Sequence, residues 1–412
     1  MTMRLRGVLM LLAGLAVMGL ASCGHYTCGA GFGVSTCTPS GSGLGGGGTT
    51  GNTNATAYAY VVDTVGTMDG YTLDTTANTF GFSTNYTAPA IPASDIGAGV
   101  VVVQNKFLYA VFPISGQIYG WSIDSSGDLT SLFTPIQGSL AIGEADYNQQ
   151  TVITNPAGTL LFISAAGANQ ILVYQIDSST GALTPATGSP HSTLDLTLEP
   201  QNLGMDGLGR YLYVSEDSGD HAGSFIGAYS VSSTGTLTPI GTFQVPLWQM
   251  QGDPTGDYLI GISGKTDSIY GSDDYNIYVY NINQSTGAIT AATGSPVVTS
   301  PQYAPFNIAV QPIATNGALI YSFSVDDLGE GDNPVLGYQL TPSTGALAEL
   351  SSSPFSNLGV AAWGGFDPSG AYLFMYSEAS ITAYQVSSTG ALTEIAPIPL
   401  NTGGYWAVAD AQ

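Results

Sequence analysis

The residues best suited to chemistry fall close together: His191, Glu199, Glu216, Asp217 and His221. Imidazoles titrate near neutrality, and carboxylates beside them can supply a general base and hold a polarising metal. That set suits attack of water on an ester-like bond such as a lactone, with His191, Glu199, Glu216 and His221 as the catalytic candidates. The plain alternative is two solvated histidines on polar loops. A second group is Asp326-Asp327-Leu328-Gly329-Glu330-Gly331-Asp332-Asn333, where two glycines allow tight bending. Hard cations such as Ca²⁺ take six to eight oxygens, so Asp326, Asp327, Glu330 and Asp332 are candidate ligands. The stretch Asp267–Asn276 is a looser version, and neither has EF-hand spacing. Here the alternative is acidic loops that keep the chain soluble. The chain has no Gly-x-Ser-x-Gly elbow and no His-Glu-x-x-His motif.

What must position these residues is a repeat. Ser-Thr-Gly-Ala-Leu stands intact at Ser179–Leu183, Ser343–Leu347 and Ser388–Leu392, with near-copies at Ser126–Leu129, Thr234–Leu237 and Thr286–Ile289. Its glycines, Gly127, Gly181, Gly235, Gly287, Gly345 and Gly390, recur at steps of 54, 54, 52, 58 and 45 residues. A degenerate copy at Asp74–Phe80 puts Asn78 at the glycine position, and Asn tolerates the left-handed conformation best after Gly. Between these turns run short, alternating strands rich in β-branched and aromatic residues, with no sustained helical period. About 50 residues per unit and four strands each predict an all-β, seven-bladed propeller over residues 57–412. The first unit, from Tyr58, lacks an inner strand, and the last segment, Tyr405–Asp410, has no unit to follow it. The C-terminal strand is therefore expected to close the ring, which removes open sheet edges.

The N-terminus reads as an address. Arg4 and Arg6 precede an apolar run, Val8–Leu20, too short for a comfortable membrane span. Leu20-Ala21-Ser22-Cys23 resembles a bacterial lipobox, which implies a signal peptide over 1–22 and lipidation of Cys23. Gly24 favours the outer membrane over the inner, with the ring facing the periplasm or the cell surface. Residues 23–56 then form a flexible tether, and Cys28 and Cys37 within it can pair in an oxidising compartment. No cysteine is left for the propeller.

Charge narrows the partners. The chain is formally −24, and beyond the signal only Lys106, Arg210 and Lys265 oppose 29 acids. Nucleic acid, acidic polysaccharide and anionic lipid are disfavoured, since their recognition begins with cations. The inferred topology gathers most of the acids on one rim, among them Asp195, Glu199, Glu216, Asp217, Asp220, Asp273, Asp274, Asp326, Asp327, Glu330 and Asp332.

Tyr211-Leu212-Tyr213-Val214, Ala228-Tyr229-Ser230-Val231, and Ser233-Thr234-Gly235-Thr236-Leu237-Thr238-Pro239 together resemble the seven-bladed lactonase family. So does Gly181–Pro185 followed by Gly188-Ser189-Pro190. That family includes 6-phosphogluconolactonase-like proteins and fungal muconate cycloisomerases. The resemblance covers all seven repeats, but its motifs build blades and name no catalytic residue. A 6-phosphate calls for Arg or Lys, which this domain nearly lacks. The main expectation is a monomeric envelope lipoprotein whose acidic rim binds a protein, a peptide or a neutral glycan, touching membrane only through its lipid. The alternative is hydrolysis of a non-phosphorylated lactone, with Ca²⁺ as the one cofactor considered.

Overall fold

In the computed structural model, the described residues are 26–27, 38–39, 55–63, 68–86, 99–112, 115–137, 151–195, 197–217, 225–263, 276–299, 303–313, 317–326, 334–355, 358, 363–377, 380–399 and 404–411. The chain divides into two compact units, 1–50 and 51–412. In the first, Tyr26–Thr27 pairs antiparallel with Thr38–Pro39. Cys23, Cys28 and Cys37 lie outside the described residues.

The second unit is the expected propeller. Its seven antiparallel sheets each place the first strand innermost, where it meets the inner strands of neighbouring blades. Blade 3 shows the pattern, with Val152–Thr154, Leu160–Ala165, Gln170–Ile176 and Leu183–Pro185 running outward and His191–Ser192 added beside the third strand. In blade 4 the order is Glu199–Met205, Tyr211–Asp217, Phe225–Val231 and Leu237–Gln244. Blade 1 begins with the chain's end: Gly404–Asp410 pairs along its whole length with Ala57–Asp63. The C-terminal strand closes the ring as expected.

Side chains alternate along every strand, so each sheet presents one apolar face to the blade before it and one to the blade after. The buried hydrophobic residues accordingly fall into seven clusters, one at each seam. A tyrosine in the second strand crosses four of these seams. Tyr60, Tyr109, Tyr213 and Tyr321 donate their hydroxyls to the carbonyls of Gly127, Gly181, Gly287 and Gly390 at 2.7–2.9 Å. The equivalent side chains in blades 3, 5 and 7 are Phe162, Ile260 and Phe374, which have no hydroxyl.

The repeat glycine is thus required twice. At Gly287, φ is +72°, which costs an L-residue roughly 1–2 kcal/mol. A Cβ there would also run into the ring of Tyr211 from the preceding blade. Asn78, the expected stand-in, has φ +53°. Tyr213→Phe should cost about 1 kcal/mol, one net hydrogen bond. Gly287→Ala should cost at least ~2 kcal/mol, because strain and overpacking add. Urea unfolding monitored by circular dichroism tests the order; equal effects of the two substitutions would contradict it.

A carboxyl pair sits at the closing seam. Asp410, on the last strand, receives a contact from Asp367 of blade 7, and its N–H donates to Asn105 Oδ1 at 3.0 Å. Burial first, and then Asp367, push Asp410 up to about 7. The folded state therefore holds a proton that the unfolded chain releases near 3.8. This contribution to stability is complete below that value and is lost as pH rises toward 7. Wild type should lose more stability between pH 5 and pH 8 than Asp410→Asn does; parallel losses in urea midpoint would refute the pairing.

Candidate functional site

Alternation decides where Glu216 goes. In the second strand of blade 4, Tyr211 and Tyr213 face blade 5, whereas Leu212 and Val214 pack against blade 3. Glu216 continues the second set, so its carboxyl enters the seam between blades 3 and 4, where it is fully buried. Space for it comes from the neighbouring strand: a Cβ on Gly227 would collide with Glu216 Oε1 and lie 3.1 Å from Cδ.

The carboxyl is poorly satisfied. Oε1 accepts one long bond, 3.4 Å, from the N–H of Leu194, and Oε2 has no hydrogen-bond partner. Burial is the main reason that Glu216 is pushed up to about 7, while the backbone of Leu194 and Asp195 pulls it down. Tyr229, 1% exposed on the third strand, is electrostatically coupled to Glu216, yet neither its hydroxyl nor Oε2 completes a well-formed hydrogen bond. Burial and the nearby carboxyl push the phenol up, so it stays protonated and can donate. Buried polar atoms are nearly always paired, so two unpartnered ones in one slot mark a place for water or a ligand.

The other sequence candidates are dispersed. His191 is half-buried at the outer edge of blade 3, where its ring reaches the backbone of Gly235; burial lowers its pKa, and Nε2 has no partner. No hydrogen bond joins His191 to Glu216 among the described residues. Glu199 is exposed at the start of the inner strand of blade 4. His221, Asp327, Glu330 and Asp332 lie outside the described residues; Asp326 ends a strand of blade 6. The topology inferred from sequence groups Glu216 with the rim acids, and the structure places it within the strand Tyr211–Asp217. Strand alternation turns it into the seam. Among the described residues no group of three or more His, Cys, Asp or Glu side chains could hold a metal ion. Tyr229 and Gly227 were not singled out as site residues from sequence.

Cations are kept away. Arg210 Nε binds Asp206 Oδ2 at 2.8 Å, and Nη2 donates to the Gly256 carbonyl at 3.1 Å. Asp206 Oδ1 accepts the N–H groups of Arg210 and Tyr211 at 2.6 and 2.8 Å. That assembly caps the turn six residues before Glu216, about 20 Å along the strand. Lys106 is exposed in the corresponding turn of blade 2, and Lys265 lies outside the described residues. A channel cavity of about 610 Å³ opens at the turn end, but its carboxylate, Asp206, is fully engaged.

Residues 98–248, which include this seam, match the family model described as Lactonase, 7-bladed beta-propeller. Sequence relatives include the 6-phosphogluconolactonase of Pectobacterium carotovorum, 25% identical over 73% of this chain and 83% of that protein. The enzyme of the same name from Erwinia tasmaniensis is 22% identical over 55% of this chain, which spans 59% of that relative's length. A Bacteroides uniformis structure provisionally named 6-phosphogluconolactonase superposes with a TM-score of 0.63 at 14% identity, over 86% of this chain and 99% of that one. A Lactobacillus plantarum protein gives 0.63 at 17% identity, with the same coverage. These structural likenesses show the shared propeller fold.

Proposed function

We propose that this β-propeller, whose residues 98–248 match the lactonase family model and whose sequence relatives include two 6-phosphogluconolactonases, hydrolyses an uncharged lactone at the slot between blades 3 and 4. The observation that carries this reading is Glu216, a fully buried, under-bonded carboxyl held near neutrality. A base of that kind is matched to proton transfer at physiological pH. As carboxylate, Glu216 takes a proton from water while the water oxygen attacks the lactone carbonyl carbon. Tyr229 donates toward the oxygen that gains charge. The ring C–O bond then breaks, and Glu216 returns the proton to the departing oxygen, which leaves a hydroxy acid. Leu194 and Asp195 lie beside the carboxyl, and Asp195, Thr197 and Glu199 are exposed.

Substrate charge follows from the cations. Arg210 is committed to Asp206, Lys106 faces solvent at the opposite end of the ring, and no described cation approaches Glu216. Among the described residues, a phosphorylated lactone would meet no cation to balance its charge. The acidic rim alone would support the envelope-binding role, and among the described residues Asp195 and Glu199 are its exposed members at this blade.

Acid release from D-glucono-1,5-lactone, corrected for the uncatalysed rate, tests the proposal on the purified chain. Turnover should rise with pH through about 7 as Glu216 ionises. Glu216→Gln should lower kcat/KM by ~10²-fold or more, and the 6-phosphate form should be no better a substrate. Full turnover by Glu216→Gln would remove the carboxyl from the mechanism. Absence of turnover by wild type on a panel of neutral lactones would leave binding at the rim as the function.

A further inference from the structure

The central channel contains a second set of under-used polar groups, in a cavity of about 350 Å³ walled by the inner strands of blades 5, 6, 7, 1 and 2. Side-chain amides stitch these strands together. Gln249 Oε1 accepts the N–H of Ile308 at 2.9 Å, and Asn307 Oδ1 accepts the N–H of Gly364 at 3.0 Å. Each bond fixes which end of the amide is oxygen, so each NH₂ is turned to the other side. Gln251 uses both ends, accepting from Val310 and donating to the Ile308 carbonyl. By contrast, neither Gln249 Nε2 nor Asn307 Nδ2 donates a hydrogen bond among the described residues, although the two side chains are 1% and 3% exposed. Both line the cavity, as does Trp406, 7% exposed, whose Nε1 is buried without a partner.

The three groups left over are all donors. Their natural complement is a ligand rich in acceptor oxygens. Gln251 and Asp367 also line the cavity, and the rest of its wall is apolar or small; Gly364 and Gly365 leave room for the rings of Phe323 and Trp406, the latter within 3.1 Å of where a Gly365 Cβ would be. An aromatic face beside amide donors suits a flat, C–H-bearing ring that carries hydroxyls. An anion is disfavoured, because no Lys or Arg lines the cavity, Asp367 does, and the chain is strongly acidic. We propose that the channel between blades 5, 6, 7 and 1 binds a neutral monosaccharide-type ring through Gln249, Asn307 and Trp406. This site is separate from the slot at Glu216 and does not depend on hydrolysis there.

Methyl α-D-glucopyranoside, which has no lactone to open, is the probe, and side-chain ¹H–¹⁵N NMR of the full chain is the readout. The indole resonances are those of four tryptophans, and Trp406→Phe assigns one of them. Saturable shifts are expected at the Trp406 indole and at two side-chain amide pairs, with Trp121 and Trp248 as unmoved controls. Asn307→Asp keeps an oxygen for Gly364 and replaces the free donor with an acceptor; it should weaken binding at least ~10-fold. Glu216→Gln should bind as wild type does, which separates this site from the proposed lactone slot. No saturable shift at ~10 mM sugar, the scale of a weak site, would overturn the proposal. So would shifts confined to Trp121 or Trp248, or unchanged affinity in a folded Asn307→Asp chain.

Discussion

Everything in this ring depends on how one blade meets the next. Neighbouring sheets share no continuous ladder of backbone hydrogen bonds across a seam, so cohesion comes from interlocked apolar side chains and a few directed polar contacts. The Ser-Thr-Gly turn is the directed one. It needs a positive φ, it packs closely on the previous blade (on an aromatic ring at Gly127, Gly181, Gly287 and Gly345), and at four seams it accepts that blade's tyrosine hydroxyl. The repeat is therefore as much a statement about the contact between blades as about the hairpin inside one. That is why the glycine recurs more faithfully than the strands around it.

The candidate site lies where this scheme is relaxed. The seam between blades 3 and 4 has Phe162 in place of the stapling tyrosine, and the half-buried His191 reaches Gly235 instead. On the same seam Gly227 leaves room for Glu216, and Tyr229 brings its hydroxyl in without satisfying it. Real proteins break their own packing rules chiefly at functional sites. A buried carboxyl with one long hydrogen bond is such a break, and it is tolerated because the group can stay neutral. The channel wall near Trp406 differs in kind. There Gln249 and Asn307 satisfy the backbone with their oxygens and leave their N–H groups over.

The fold was legible in sequence because its constraint is local and repeated. Seven spaced turns, a first blade without an inner strand and a last strand without a blade lead to a closed ring, and Asn78 behaves as its position requires. The site was legible only in part. Glu216 stands out in sequence as a carboxylate near two histidines, but the inferred topology groups it only with the acids of the rim. The alternation Leu212, Val214, Glu216 carried the better signal, because a carboxylate in phase with buried residues must enter a seam. Tyr229 was hidden among 24 tyrosines, most of which do structural work. The amide donors of the channel were invisible, because an amide's free end depends on which backbone group its oxygen has found.

The protonation state of Glu216 tests the central claim most directly. Infrared difference spectra between wild type and Glu216→Gln, recorded across pH, isolate the carboxylic acid C=O stretch of that one group. A protonated band at pH 6 that disappears with a midpoint near 7 is the result expected for a buried base poised for neutral pH. A group already ionised at pH 5 would show that solvent reaches it freely, and the slot between blades 3 and 4 would lose its claim to be the site.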